Sequence, residues 1–209
     1  MKAEWRQLID KLIANGVLQT PAVIEAFETI NREDFVPDAL RSQAYVNEPL
    51  PIGFGQTISQ PWTVAFMLEK LQPAEGQKIL DIGFGSGWQT ALLAQVVGDR
   101  GRVIGLELIP ELTRQGVKNI VRYNFISRRT VELHCLNGVK GFPAATPFDR
   151  IISAASTPEI PSAWFDQLKI GGRLIAPVDS TIILVHKIAP DKFDRETFPG
   201  FAFVPFISE

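Results

Sequence analysis

At 209 residues, 45% of them hydrophobic and 21% charged, the chain is long enough to bury a full core and too apolar to be disordered. Lys and Arg number 21 against 23 Asp and Glu, so the net charge is −2 and the pI about 5.8, without the basic excess of a protein that grips nucleic-acid phosphates. A single cysteine and two histidines exclude an internal disulfide and argue against a Cys- or His-built zinc centre.

Glu4 and Asp10 interrupt the apolar pattern of the N-terminal segment, which therefore lacks the apolar run of a signal peptide. No stretch approaches the ~20 apolar residues of a membrane helix, and the expectation is a soluble cytoplasmic protein. Trp5, Leu8, Ile9, Leu12 and Ile13 recur at helical spacing, and Asn15-Gly16 stops that helix. Thr20-Pro21 opens a second helix carrying Val23, Ile24, Phe27 and Ile30. Residues 31–60 read as a long loop interrupted by three prolines and two glycines, with a short helical piece around Asp38–Gln43. Structureless loops of this length are uncommon in compact domains and usually functional. A further helix runs from Pro61 to about Leu71.

From residue 78 the texture changes to strands alternating with helices. KILDIG is a buried strand, WQTALLAQVVG a helix, RVIGLEL a strand, 111–124 a helix, RTVELHC a third strand and FDRIISAA a fourth. SAWFDQLK is a helix ended by Gly171-Gly172, RLIAPV a fifth strand, and TIILVHK and FAFVPF close the chain as two more. The charge run Asp191–Glu196 reads as a solvated turn between these last two. The pattern predicts one domain over 1–209: a doubly wound, mostly parallel α/β sheet of seven strands, Rossmann-like, with an antiparallel edge hairpin and an N-terminal helical cap.

Asp81-Ile82-Gly83-Phe84-Gly85-Ser86-Gly87 stands where the first of these strands turns into a helix. Glycines there let backbone N–H groups approach a ligand at the positive end of a helix. Trp88 occupies the place of the last glycine of the dinucleotide fingerprint, which weakens a nicotinamide reading, and no P-loop Lys-Ser/Thr follows. Gly83-x-Gly85-x-Gly87 with an acid two positions ahead is the pattern of S-adenosylmethionine (SAM) methyltransferases. Glu107 ends the second strand, where a carboxylate can accept hydrogen bonds from two ribose hydroxyls. The plainer alternative is a tight strand-to-helix turn and nothing more. A second constellation, Gly53-Phe54-Gly55-Gln56-Thr57-Ile58-Ser59-Gln60-Pro61, is either an anion-friendly turn or ordinary punctuation before a helix.

The stretches LPIGFGQTISQP (50–61), ILDIGFGSG (79–87), WQTALLA (88–94), 148–178 and FVPF (203–206) resemble the protein-L-isoaspartate O-methyltransferase family over nearly the whole chain. The glycine turn is shared by many methyltransferases; the PIGFGQTISQP element is far more specific. The resemblance implies a SAM-dependent carboxyl methyltransferase acting on L-isoaspartyl residues of damaged proteins and peptides, whose methyl ester collapses unaided to a succinimide. It implies Ser59 as the active-site residue. Gln56, Thr57 and Ile58 would line the cofactor and substrate cleft. Asp81, Gly83, Gly85, Gly87 and Glu107 would bind the cofactor, with Asn137 and Gly138 facing the adenine. No metal, nucleic acid or membrane partner is implied, and a monomer suffices. Asp81 would reach the amino-acid end of SAM directly or through water.

Transfer to a carboxylate from an already activated methyl group needs alignment more than acid–base chemistry, because the nucleophile is an anion at pH 7. A hydroxyl and backbone N–H groups suit that task, so Ser59 would orient rather than attack. The chain departs from the family at Asn47 and Asn137, where an Asp is usual, at Leu136 and Asp179, where Gly is usual, and in having no Gln between 178 and 188. These departures leave two rivals: a weakly active SAM-binding interaction module, and a methyltransferase for another carboxylate. Cys135, His134 and His186 read as packing or surface residues, and Trp5, Trp62, Trp88 and Trp164 mainly as core or cap aromatics, Trp88 being the one placed to touch a ligand.

Overall fold

The computed structural model describes residues 1–207. Helix α1 (Ala3–Ala14) buries the stripe Trp5, Leu8, Ile9 and Leu12, and α2 (Pro21–Thr29) buries Val23, Ala26 and Phe27. The Trp5 indole N–H donates to the carbonyl of Phe27, 2.8 Å away, which locks the two helices at their crossing. Residues 31–60 are more ordered than a bare loop. They form short 3-10 turns at Arg32–Phe35 and Asp38–Gln43, then a small antiparallel hairpin of β1 (Leu50–Gly53) and β2 (Gln56–Ile58). Helix α3 (Pro61–Leu71) follows, close to its expected limits.

The main sheet comprises β3 (Lys78–Ile82), β4 (Arg102–Glu107), β5 (Val131–Cys135), β6 (Phe148–Ser153), β7 (Leu168–Val178), β8 (Thr181–Ala189) and β9 (Lys192–Pro199). Helices α4 (Trp88–Val97), α5 (Pro110–Ile120) and α6 (Ser162–Gln167) connect them. Their order is β5-β4-β3-β6-β7-β8-β9; the first five are parallel, and β8 and β9 are antiparallel to their neighbours. The chain lays strands outward from β3 to β5 and then returns to the other side of β3. That reversal leaves a crevice at the carboxyl ends of the strands. Alternate residues of β3 feed two buried clusters: Ile79 joins the one containing α1–α4, and Leu80 and Ile82 join the one containing Phe148 and Trp164. This period of two explains why the strands are apolar throughout.

Two expectations are corrected. The last strand is Lys192–Pro199, largely the charge run read as a turn, and FAFVPF forms no strand of the sheet. An edge strand has one neighbour and needs little apolar surface: β9 is mostly exposed, and charges on such an edge discourage further pairing. Residues 201–206 instead cross the strand ends, joined to Ser156 through Ser156 N–H to the Val204 carbonyl (2.9 Å) and Phe206 N–H to the Ser156 carbonyl (2.7 Å). Gly171-Gly172, expected to end α6, lies inside β7, which begins directly after Gln167. Gly172 is required there because a Cβ would sit 2.8 Å from both the Leu168 Cδ1 and the Lys169 carbonyl.

The helical cap is tied to α3 by Glu69. Its Oε1 accepts the Gln19 and Thr20 backbone N–H groups, each at 2.9 Å, and its Oε2 accepts the Thr20 hydroxyl at 2.7 Å. The carboxylate thus satisfies the backbone donors of the two residues that lead into α2. Glu69→Ala should destabilise the fold by about 1–2 kcal/mol and lower the melting temperature by roughly 2–8 °C. A melting curve that overlays the unmodified protein's would show that the cap does not depend on this carboxylate.

Candidate active site

Three glycines with positive φ make the turn from β3 into α4: Gly83 (77°), Gly85 (51°) and Gly87 (88°). Their jobs differ. Gly83 and Gly85 line a partly open cleft together with Trp88, Gln89 and Glu107. Gly87 lies behind it, where a Cβ would stand 2.8 Å from Ile120 Cδ1, so this glycine lets α4 and α5 approach. Phe84, between Gly83 and Gly85, also borders the cleft, while its buried ring packs against Gly105 and Gly116.

Glu107 closes β4 with only 7% of its surface exposed. Its Oε2 accepts the Gly85 N–H and its Oε1 the Ile109 N–H, both at 2.9 Å. Each carboxylate oxygen keeps a second acceptor site, so vicinal hydroxyls entering the cleft would still find partners.

Asp81 is fully buried and is not among the cleft-lining residues. It faces α4, accepting the Gln89 side-chain amide at 2.8 Å and the Thr90 hydroxyl at 2.6 Å. Burial pushes its pKa up from the ordinary 3.8 to about 6, outweighing those two hydrogen bonds, which pull it down. Gln89 does line the cleft, so Asp81 is placed to orient a cleft residue rather than to face the cleft.

Gln56, Thr57, Ile58 and Ser59 all line the same cleft. Thr57 and Ser59, with Ala154 and Val204, also line a second cleft bounded by Trp62, Thr63, Phe201 and Phe203, so these residues stand where the two clefts meet. Gly138 and Leu136 line the first cleft while Asn137 does not; the Asn137 side chain accepts the Val139 N–H at 2.9 Å and caps the turn Gly138–Lys140. Trp88 lines the cleft through the start of α4. Cys135, His134 and His186 line neither cleft.

Val204, Pro205 and Phe206 roof the first cleft, and Ala154 and Ala155 floor it after β6. None of these residues carries a local motif; the signals for them are the family-like stretches 148–178 for Ala154 and Ala155 and FVPF for Val204–Phe206. Among the residues lining either cleft, Glu107 is the sole ionisable side chain. Among the described residues, no group of three His, Cys, Asp or Glu is placed to hold a metal.

Two departures from the family pattern acquire local roles. Asn47 Oδ1 accepts the Trp62 N–H at 2.9 Å at the start of α3, a cap that an amide oxygen provides as a carboxylate would. Asp179 takes a φ of 49° in the β7–β8 turn, a conformation that glycine accepts freely and Asp tolerates.

The strand order, the glycine turn and a carboxylate at the end of β4 are those of the SAM-dependent methyltransferase class. A family model described as protein-L-isoaspartate(D-aspartate) O-methyltransferase matches residues 3–209. A protein-L-isoaspartate O-methyltransferase of Methanopyrus kandleri is 40% identical, over 97% of this chain and 91% of that one. Protein-L-isoaspartate O-methyltransferase 2 of Marinobacter nauticus is 39% identical, over 97% and 90%. The chain belongs to the protein-L-isoaspartate(D-aspartate) O-methyltransferase family. In fold it matches a Plasmodium falciparum protein crystallised with S-adenosyl-L-homocysteine (TM-score 0.87, 23% identity, 97% of this chain and 98% of that one). It also matches a solved protein-L-isoaspartate O-methyltransferase (TM-score 0.85, 28% identity, 96% and 65%).

The raised pKa of Asp81 has a measurable consequence. The folded acid holds its proton to higher pH than the unfolded one, so its contribution is most favourable below about pH 4 and is lost as pH rises through 6. Asp81→Asn lacks this dependence. Its stability relative to the unmodified protein should therefore rise by roughly 2 kcal/mol between pH 4 and pH 7, whatever its offset. Urea unfolding of both proteins across that range reads the slope, and a flat difference would mean that Asp81 ionises normally in the fold.

Proposed function

We propose that this protein transfers a methyl group from SAM to the free carboxyl of L-isoaspartyl residues in damaged proteins and peptides. The observation that carries the reading is the meeting of two clefts at Thr57 and Ser59 in a chain that matches this family over nearly its full length. The first cleft fits the donor: its glycine turn gives close backbone access, and Glu107 offers acceptors for ribose hydroxyls. When bound, SAM supplies a methyl group already activated on sulfur.

The chain's own residues then have three tasks. Gly83, Gly85 and Glu107 hold the donor, with Gly138 beside it. Ser59 and Thr57 orient the acceptor carboxylate at the junction. Val204–Phe206 screen the cleft from water. We further read Asp81 as acting through Gln89, Gly87 as a packing glycine, and Asn137 as a turn cap that sets Gly138. No helix among the described residues is long and apolar enough to cross a membrane. We assign the protein to the cytoplasm as a monomer acting on polypeptide rather than nucleic acid, a reading supported by its lone exposed cysteine and net charge of −2.

The test is labelled-methyl transfer from SAM to paired peptides that differ only in an isoaspartyl or an aspartyl residue. Methylation of the isoaspartyl peptide alone is expected; equal labelling of both, or of neither, would remove the assignment. Ser59→Ala should lower kcat about 10–100-fold, as loss of one orienting donor does, with SAM affinity within twofold of the original. Unchanged turnover would take Ser59 out of the machinery.

A further inference from the structure

Arg32 is completely buried, yet it has no carboxylate partner among the described residues. Its guanidinium donates instead to four backbone carbonyls. Nη1 reaches Ala44 (2.8 Å) and Val46 (3.1 Å), and Nη2 reaches Glu48 (2.9 Å) and Ser59 (3.1 Å). Its Cζ lies 5.4 Å from the ring of Trp88, the first residue of α4 and a wall of the cofactor cleft. Burial pushes its pKa down to about 9, so it remains a cation at pH 7. Taking an unpaired cation out of water is costly, and a neutral apolar side chain would fill the space without that penalty. What an apolar residue cannot do is join two separate stretches of backbone.

The arginine is itself held in place. The Asn31 N–H donates to the Tyr123 hydroxyl oxygen at 3.0 Å, and the Asn31 Oδ1 accepts the Tyr45 hydroxyl at 2.9 Å. Asp34 accepts the Tyr123 hydroxyl at 2.7 Å and Arg122 Nη1 at 3.0 Å. Tyr123 follows α5 directly, and α5 packs on the glycine turn. Packing of α5 on the glycine turn, the Tyr123 hydrogen bonds to the Asn31–Asp34 turn and the Arg32 fork thus connect the first cleft to the carbonyl of Ser59.

We infer that Arg32 is a positioning residue: by gripping the carbonyls of Glu48 and Ser59 it sets the β1–β2 hairpin over the cofactor cleft and so aims residue 59 at the acceptor carboxylate. The inference rests on the methyltransferase reading above. The planar fork is essential, since a lysine nitrogen is a single point and cannot span four acceptors on two segments.

The experiment measures isoaspartyl-peptide turnover and SAM affinity for the unmodified protein, Arg32→Lys, Arg32→Met, Ser59→Ala and the Arg32→Lys/Ser59→Ala double variant. Turnover is normalised to SAM sites titrated by calorimetry in the same sample, so a partly unfolded variant still reports on its folded fraction. Both Arg32 variants should lose about 100-fold in kcat/KM for the peptide, the scale of an ångström-level misplacement, with SAM affinity within about threefold. In the Ser59→Ala background the Lys substitution should cost less than about threefold, because its effect passes through residue 59. Retained turnover, an equal loss of SAM affinity, or strictly multiplicative losses would each overturn the inference. If Ser59→Ala alone leaves turnover intact, the orienting role of that hydroxyl falls. Arg32 is then judged on the split between peptide turnover and SAM affinity. No isoaspartyl turnover by the unmodified protein would refute the methyltransferase reading itself.

Discussion

The carboxylate of Glu107 ties the glycine turn after β3 to the start of α5, accepting one backbone N–H from each. The geometry of the first cleft follows from this pair of bonds. With the turn held there, Phe84 inserts between β4 and α5, where two further glycines make room for it. A Cβ on Gly105 would stand 3.0 Å from Phe84 Cδ1, and one on Gly116 would stand 2.6 Å from Phe84 Cε2. Gly116 lies inside a helix, where alanine is the better helix former, and is explained by the ring it accommodates. The motif thus has two layers: glycines that open onto the cleft, and an aromatic plug that keeps them from moving.

The two halves of the site were unequally legible. The cofactor half is written in local signals, namely a strand, a glycine turn, a helix and an acid at the end of the next strand, all within about thirty residues. Periodicity and turn chemistry find such features. The substrate half depends on contacts between distant residues. Arg32 gives no local sign of its role, because the carbonyls it serves lie 12 to 27 positions away and carbonyls carry no residue identity.

The misread C-terminus has a similar cause. FAFVPF is apolar because it roofs a cleft, and the β9 segment is charged because it is an edge; hydrophobicity alone assigns each to the other's place. Asp81 shows a further limit. The acid two residues before Gly83 marks the motif, but only the structure reveals that it faces α4 rather than the cleft. Strand parity already implied this, since residue 81 lies on the face of Ile79 and opposite that of Leu80.

The scarcity of charge in the clefts fits a reaction whose acceptor brings its own. A cation beside the acceptor carboxylate would strengthen binding and, by the same interaction, withdraw the electron pair that must reach the methyl group. The chain keeps the buried guanidinium of Arg32 spent on backbone carbonyls flanking the hairpin, and the residues shared by the two clefts are the uncharged Thr57, Ser59, Ala154 and Val204. Glu107, the one ionisable lining residue, borders the first cleft and not the second; in the proposed function it holds donor hydroxyls without competing for the acceptor's place. On the proposed reading, positive charge contributes here through the shape it imposes on a loop, one layer removed from the chemistry. That division lets a site hold an anion in line without quenching it.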